Sequence, residues 1–331
     1  MFPRLPRGHI GSFRTALAIG IGLIGGLTLA GLYPIALAVA AAVVPVLILV
    51  YILAVDVYEG QPVTVLAATV LWGVLMGAVF ALGTAGVVSV TPGAAPSPTN
   101  ALLRGVALPV LGAALALVGP LLLLRRPAFN DVLDGVTFGA AAGSAFVGTQ
   151  TLVSAVGLLS GGLRPVGAAG PWLIQLLTVG VAQPILSAAV GAIVLGTVWL
   201  RIRAPRQDRA ALGPMGNPVV AIVVGAAMLA GAGLGRIVLG SVWALIWLLV
   251  LAVLALIWMR LLIHIGLLEE AAEIAIGSPV VCPECGAMTP HHTFCISCGI
   301  ALRALPRSHQ PGSSEADVTG TSGADVEGGP P

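Results

Sequence analysis

The sequence has no lysine. All 15 of its basic residues are arginine, and charged residues of both signs make up only 8% of its 331 residues. An ordinary soluble domain is about a quarter charged. A chain this poor in charge cannot cover a globular surface with groups that water solvates, which excludes a soluble fold. The formal net charge is only +2. Binding a phosphate backbone needs clustered positive charge, so no nucleic-acid partner is expected. Cysteine is absent before residue 282, which argues against a scattered disulfide framework.

What is present is apolar. Hydrophobic residues make up 58% of the chain, and the 44 glycines sit among Leu, Val, Ile and Ala in long runs rather than in a collagen-like repeat. A run of about 20 apolar residues spans a bilayer. Eight such runs are read: Thr15–Leu32, Ile35–Val55, Val63–Val90, Leu102–Leu124, Val132–Leu159, Trp172–Leu200, Val219–Leu239 and Val242–Leu262. Pro, Gly, Arg and Asp clusters separate them. The expected fold is an all-α polytopic membrane protein of about eight helices, with the bilayer as its first partner.

Arginine placement tests that count. With a cytoplasmic N-terminus, the inner set is Arg4, Arg7, Arg14, Arg125, Arg126, Arg201, Arg203, Arg206, Arg209, Arg260, Arg303 and Arg307. The outer set is Arg104, Arg164 and Arg236. This asymmetry follows the positive-inside rule and places both termini in the cytoplasm. Glycines four apart (Gly22/Gly26, Gly73/Gly77, Gly139/Gly143 and Gly231/Gly235) are candidate seams where helix backbones approach closely.

The domain reading is a cytoplasmic segment at 1–14, the helical domain at 15–265 and an acidic amphipathic linker helix at 266–280. A zinc ribbon at 281–305 and a tail at 306–331 follow. The tail is Gly, Ser, Pro and acid, too polar to fold.

The ribbon carries the strongest motif. Cys282 and Cys285 form one C-x-x-C pair, Cys295 and Cys298 a second, and each pair is followed by glycine, Gly286 and Gly299. Two residues between cysteines make a tight turn that points both sulfurs at one ion. Two such turns complete a tetrahedral shell, so one structural Zn2+ is expected rather than a catalytic ion with an open position. His291 and His292 lie between the pairs and are read as loop residues, since four thiolates already fill the shell.

Ionisable residues inside a membrane mark functional sites, and here they are scarce. Ahead of the linker helix the acids are Asp56, Glu59, Asp131, Asp134 and Asp208, all at span ends or in loops. The intramembrane polar set includes Gln150, Gln175 and Gln183, candidates for contacting a partner's transmembrane segment.

Two stretches resemble the PrsW-type intramembrane proteases of the CAAX-protease-like superfamily: Phe129–Phe146, FNDVLDGVTFGAAAGSAF, and Asp56–Glu59, DVYE. The resemblance implies a protease-like helical domain in a bacterial inner membrane, in a family that includes members with a cytoplasmic zinc ribbon. It also implies a Glu-Glu-x-x-Lys motif, a later glutamate and a histidine. Here Gly112, Ala113 and Ala116 stand at the first motif, Gln150 at the second position and Gln183 at the third. Glutamine cannot take a proton from water at useful pH, and activating water needs a carboxylate or an imidazole. The expectation is a catalytically degenerate member, a pseudoprotease acting as a scaffold or regulatory subunit for protein partners. Two alternatives stay open. One is an active protease with an unrecognised site, such as His264 with Glu269, Glu270 and Glu273. The other is a small-molecule carrier with helices broken at Pro109, Pro120 and Pro184.

Overall fold

The computed structural model describes residues 10–55, 63–88, 97–126, 129, 131–159, 169–202, 212–273, 280–289, 294–295 and 297–301. Asp56, Glu59, His291, His292 and the 306–331 tail lie outside the described residues.

Among the described residues, eight long helices occupy the eight expected places: α1 (Ile10–Leu29), α2 (Tyr33–Val55), α3 (Val63–Val88), α4 (Pro98–Leu123), α5 (Val132–Leu159), α6 (Ala169–Ile202), α7 (Pro218–Val238) and α8 (Ser241–Glu273). Seven of them are long and apolar enough to cross a membrane; in α1 the apolar stretch, Phe13–Leu29, is shorter. The chain is a multi-pass helical protein of membrane character.

Helix starts are set by local chemistry. Ser97 accepts a hydrogen bond from the Asn100 N–H, and Asn217 accepts one from the Val219 N–H, each just ahead of a proline at the first helical position. At α5 the carboxylate of Asp131 accepts from the Leu133 N–H at 3.3 Å, while that of Asp134 accepts from the Asp131 N–H at 3.4 Å. This reciprocal pair is a capping box.

Two prolines expected to break helices do something milder. The turns Leu103–Ala107 in α4 and Leu176–Ala182 in α6 are π-helical, and each ends two residues before a proline, Pro109 and Pro184. A proline ring presses on the carbonyl of the preceding turn. Widening that turn relieves the clash and keeps the helix continuous. Of the linker helix expected at 266–280, residues 266–273 continue α8, and 274–279 lie outside the described residues. Leu, Glu and Ala carry α8 without a break to Glu273.

α5 sits at the centre, packed against α2, α3, α4 and α6. All 17 residues from Val132 to Gly148 are buried. Small residues make this possible. A Cβ at Gly139 would strike the Gly191 carbonyl of α6, and one at Gly143 would lie 2.6 Å from the Ser187 carbonyl. The Ser187 hydroxyl donates back to the Gly143 carbonyl at 3.1 Å. On another face, Gly73 and Gly77 of α3 press on the backbone of Ala142 and Phe146. Lipid is as apolar as leucine, so close van der Waals approach and interhelical hydrogen bonds supply the attraction. Gly235 packs on the Trp247 ring between α7 and α8, whereas Gly22 and Gly26 of α1 have nothing within 4 Å.

The two ends of the bundle differ. One end gathers the start of α1, the start of α5 and the ends of α6 and α8. Phe13, Tyr51, Val132, Leu133, Leu200, Leu262 and Ile263 belong to one apolar cluster there. Arg14, Arg201 and Arg260 lie on the helix segments nearest this end, and Arg125 and Arg126 follow the end of α4. At the far end Tyr33 stacks on Trp172 with ring centroids 5.9 Å apart. There α4 crosses α7 with Gly105 against Gly233.

Candidate metal centre

The C-terminal module is built on two short strands, β1 (Val280–Val281) and β2 (Met288–Thr289), paired antiparallel, with Phe294 bridged to Ala301. Each cysteine pair sits on a tight turn of the same design. The Gly286 N–H donates to the Cys282 carbonyl, and the Gly299 N–H donates to the Cys295 carbonyl, both at 2.8 Å. Both glycines adopt φ +71°, a left-handed conformation that costs any side chain. The backbone is thus relieved just after each pair, at the two positions where the sequence places glycine.

The turns bring all four sulfurs within 4.8 Å of one another. Cys282 Sγ lies 3.7 Å from Cys298 Sγ, and Cys285 Sγ lies 3.7 Å from Cys295 Sγ. A tetrahedral ion with metal–sulfur bonds of about 2.3 Å would set its sulfurs about 3.8 Å apart. The donor set therefore fits a tetrahedral thiolate-bound ion with no position left for water or substrate.

The electrostatics agree with a site built for a cation. Burial pushes the Cys282 thiol up despite N–H donation from Cys285 and Glu284. At Cys298, burial together with the facing thiols of Cys285, Cys295 and Cys282 drives the value up to about 12. Cys295 goes the other way. Burial opposes ionisation there, but the N–H groups of Cys298 and Ser297 and the thiols of Cys282 and Cys298 bring it down to about 7. One sulfur is ready as a thiolate while two hold their protons until a cation displaces them.

The sulfurs are also the module's core. Its buried cluster is Cys282, Cys295 and Ile300, with Cys298 packed against it. Two further buried side chains face elsewhere: Phe294 (3% exposed) and Ala301 (0%) belong to the apolar cluster at the end of the helical bundle. The module is thus docked on the bundle. The only sequence signal for this contact is a lone aromatic next to a cysteine, which sequence reasoning missed.

The membrane positions expected to matter have different surroundings. Gly112 and Ala116 of α4 face α5, where a Cβ on Gly112 would lie 3.0 Å from the Phe146 ring, and Ala116 is 1% exposed in a cluster with Phe80, Phe146 and Val147. Ala113, beside them, is half-buried. Gln150 is half-buried on the same helix as Phe146, and Gln175 is exposed. Gln183 is taken up elsewhere: its Oε1 accepts from Nη1 of Arg236 at 2.9 Å. That pairing joins α6 to α7 across 53 positions of sequence, and no local pattern announces it.

Within the stretch FNDVLDGVTFGAAAGSAF, the residues from Val132 to Phe146 are all buried. Phe129, Phe138 and Phe146 are buried, and Phe138 makes edge contacts with Phe129 and Trp199. Its two aspartates cap the helix. His264 is exposed on α8. No family model, curated protein or solved structure matches the chain.

Proposed function

We propose that this chain is a non-catalytic, PrsW-like membrane protein that serves as a scaffold or regulatory subunit for membrane and cytosolic protein partners. The observation that carries the reading is the contact between α4 and α5. At the first glutamate and the lysine of the resembled motif this chain has Gly112 and Ala116, packed with the rings of Phe80 and Phe146, and at the second glutamate it has the half-buried Ala113. Neither glycine nor alanine carries a group that takes a proton from water.

The ion of the four-cysteine module is Zn2+ in this reading, one per chain and structural. Closed shells of four thiolates on paired turns are a common use of zinc. The membrane is a bacterial inner membrane with the module in the cytoplasm, where thiols stay reduced. The arginines near the module's end of the bundle support that orientation.

The test has two arms. Purified protein in mild detergent is expected to leave a transmembrane anti-sigma-type peptide uncut and to copurify with a stoichiometric membrane partner. Cleavage that disappears in the Gln150→Ala variant overturns the reading. Elemental analysis is expected to find one zinc per chain, and iron in its place overturns the metal assignment.

A carrier is the second reading, favoured by one observation. Both π turns lie toward the far end, one holding Arg104 and the other leading into Gln183 with its Arg236 partner. Irregular helices beside polar groups are where transport sites form. Substrate flux in proteoliposomes that disappears in an Arg236→Gln variant would select it.

A further inference from the structure

The cysteine module and the membrane bundle share one apolar cluster, and the shared residues adjoin the metal ligands. Phe294 precedes Cys295 directly. Its bridge partner Ala301 follows Ile300, whose carbonyl accepts from the Cys295 N–H at 2.8 Å. The second metal turn, Cys295 to Cys298, therefore forms the hairpin that presents Phe294 and Ala301. The same cluster contains Val132, Leu133 and Val136 of α5, Leu200 of α6, and Leu262 and Ile263 of α8, all nearly enclosed.

Among the described residues, little else within the module can hold that hairpin. Strands β1 and β2 have two residues each, and the Phe294–Ala301 pairing is a single bridge. Its own buried cluster is mostly cysteine. A module of this size, cored by its ligands, folds when the ion binds and unfolds when it leaves.

We infer that the module is a metal-dependent cover for one end of the helical bundle: ion binding shapes the Phe294–Ala301 hairpin, and the hairpin seals the ends of α5, α6 and α8. Loss of the ion withdraws Phe294 and Ala301 and opens those helix ends to water. Linkage makes the coupling reciprocal. A bundle that binds only the folded module must raise the module's metal affinity by the factor by which the metal strengthens docking. The proposal rests on the metal reading of the four cysteines, but not on whether the ion is zinc or on the scaffold assignment.

The experiment is hydrogen exchange read by mass spectrometry on the full chain in detergent. It compares protein as purified, protein after chelation, and protein reloaded with zinc. Chelation is expected to speed exchange at least tenfold in peptides covering 133–140 and 259–264 as well as in 280–301. The far-end peptides covering 33–40 and 228–235 stay unchanged, and zinc restores the original rates.

Phe294→Ala separates cover from fold. It leaves every ligand in place, so it is expected to keep one ion per chain. It should lose protection at 133–140 even when loaded and bind metal about tenfold more weakly. If chelation speeds exchange in 280–301 alone, or if Phe294→Ala matches the wild type in both protection and affinity, the coupling is absent. A chain that carries no metal refutes the metal reading and this inference together, whereas a loaded chain with uncoupled helix ends refutes only the inference.

Discussion

Gly139 and Gly143 of α5 and Gly22 and Gly26 of α1 have the same spacing, in runs of similar composition. The first pair is pressed against the backbone of α6, and the second has nothing within 4 Å. Small-residue spacing allows close approach but does not supply the neighbour. On α5 the neighbour is supplied on several sides. Gly148 meets the Ala41 carbonyl and the Pro45 ring of α2, and Gly73 and Gly77 close in from α3. α1 instead touches α2 through Gly20 and Val43 and exposes Ile19, Ile21 and Leu23. On α5, small residues at these positions admit a neighbouring backbone on more than one face, and the larger Phe138 and Phe146 fill the gaps between.

That comparison predicts a ranked set of effects. Gly139→Leu is expected to do the most harm, because the clash is with backbone that cannot swing aside. A cost of about 3 kcal/mol or more should appear as loss of the monodisperse species in size-exclusion chromatography.

The module follows a different rule, since protons rather than packing compete for its sulfurs. With Cys282 and Cys298 raised and Cys295 at about 7, metal binding must displace protons, so affinity falls as pH falls. Displacing the two protons held by Cys282 and Cys298 gives about a hundredfold per pH unit. Lowering the pH by about one unit from neutrality should therefore weaken binding by about a hundredfold in a chelator competition, while the helical circular dichroism of the bundle stays unchanged.

Gly299→Ala places a side chain at φ +71°. It should destabilise the loaded module by about 1–2 kcal/mol, read as faster metal release. Ser187→Ala removes the interhelical bond to the Gly143 carbonyl and should cost about 0.6 kcal/mol in detergent unfolding. Gly22→Leu is expected to change monomer stability by less than about 0.5 kcal/mol. A large loss there would mean that the open stripe of α1 meets a partner chain, and it would break the contrast with α5.

Much of this is legible in the sequence, for reasons that can be named. Apolar run length places the helices, because the hydrocarbon thickness sets one dominant scale. The metal turns are legible because two pairs and two glycines at fixed offsets have few other uses. The π turns are not. Pro109 and Pro184 signal trouble, but only the packing around them decides between a broken helix and a widened turn. Gln183 reads in sequence as a vacated catalytic position, and its Arg236 partner lies on another helix where no local pattern points. Asp131 and Asp134 fall within the family resemblance, yet a helix-capping pair explains their spacing locally. Phe294 escapes notice because a single aromatic in a cysteine module carries no period.

The unbroken length of α8 has a consequence for how the module moves. Only six residues, 274–279, separate the end of α8 at Glu273 from the start of β1 at Val280. Fully extended, they reach about 20 Å. A module that lets go of the bundle therefore remains tethered within a small volume, where a short linker keeps its effective concentration in the millimolar range. Even weak recapture is strongly favoured by that tether. Opening of the bundle's end would then be brief and self-reversing whenever the ion returns, without dilution into the bulk.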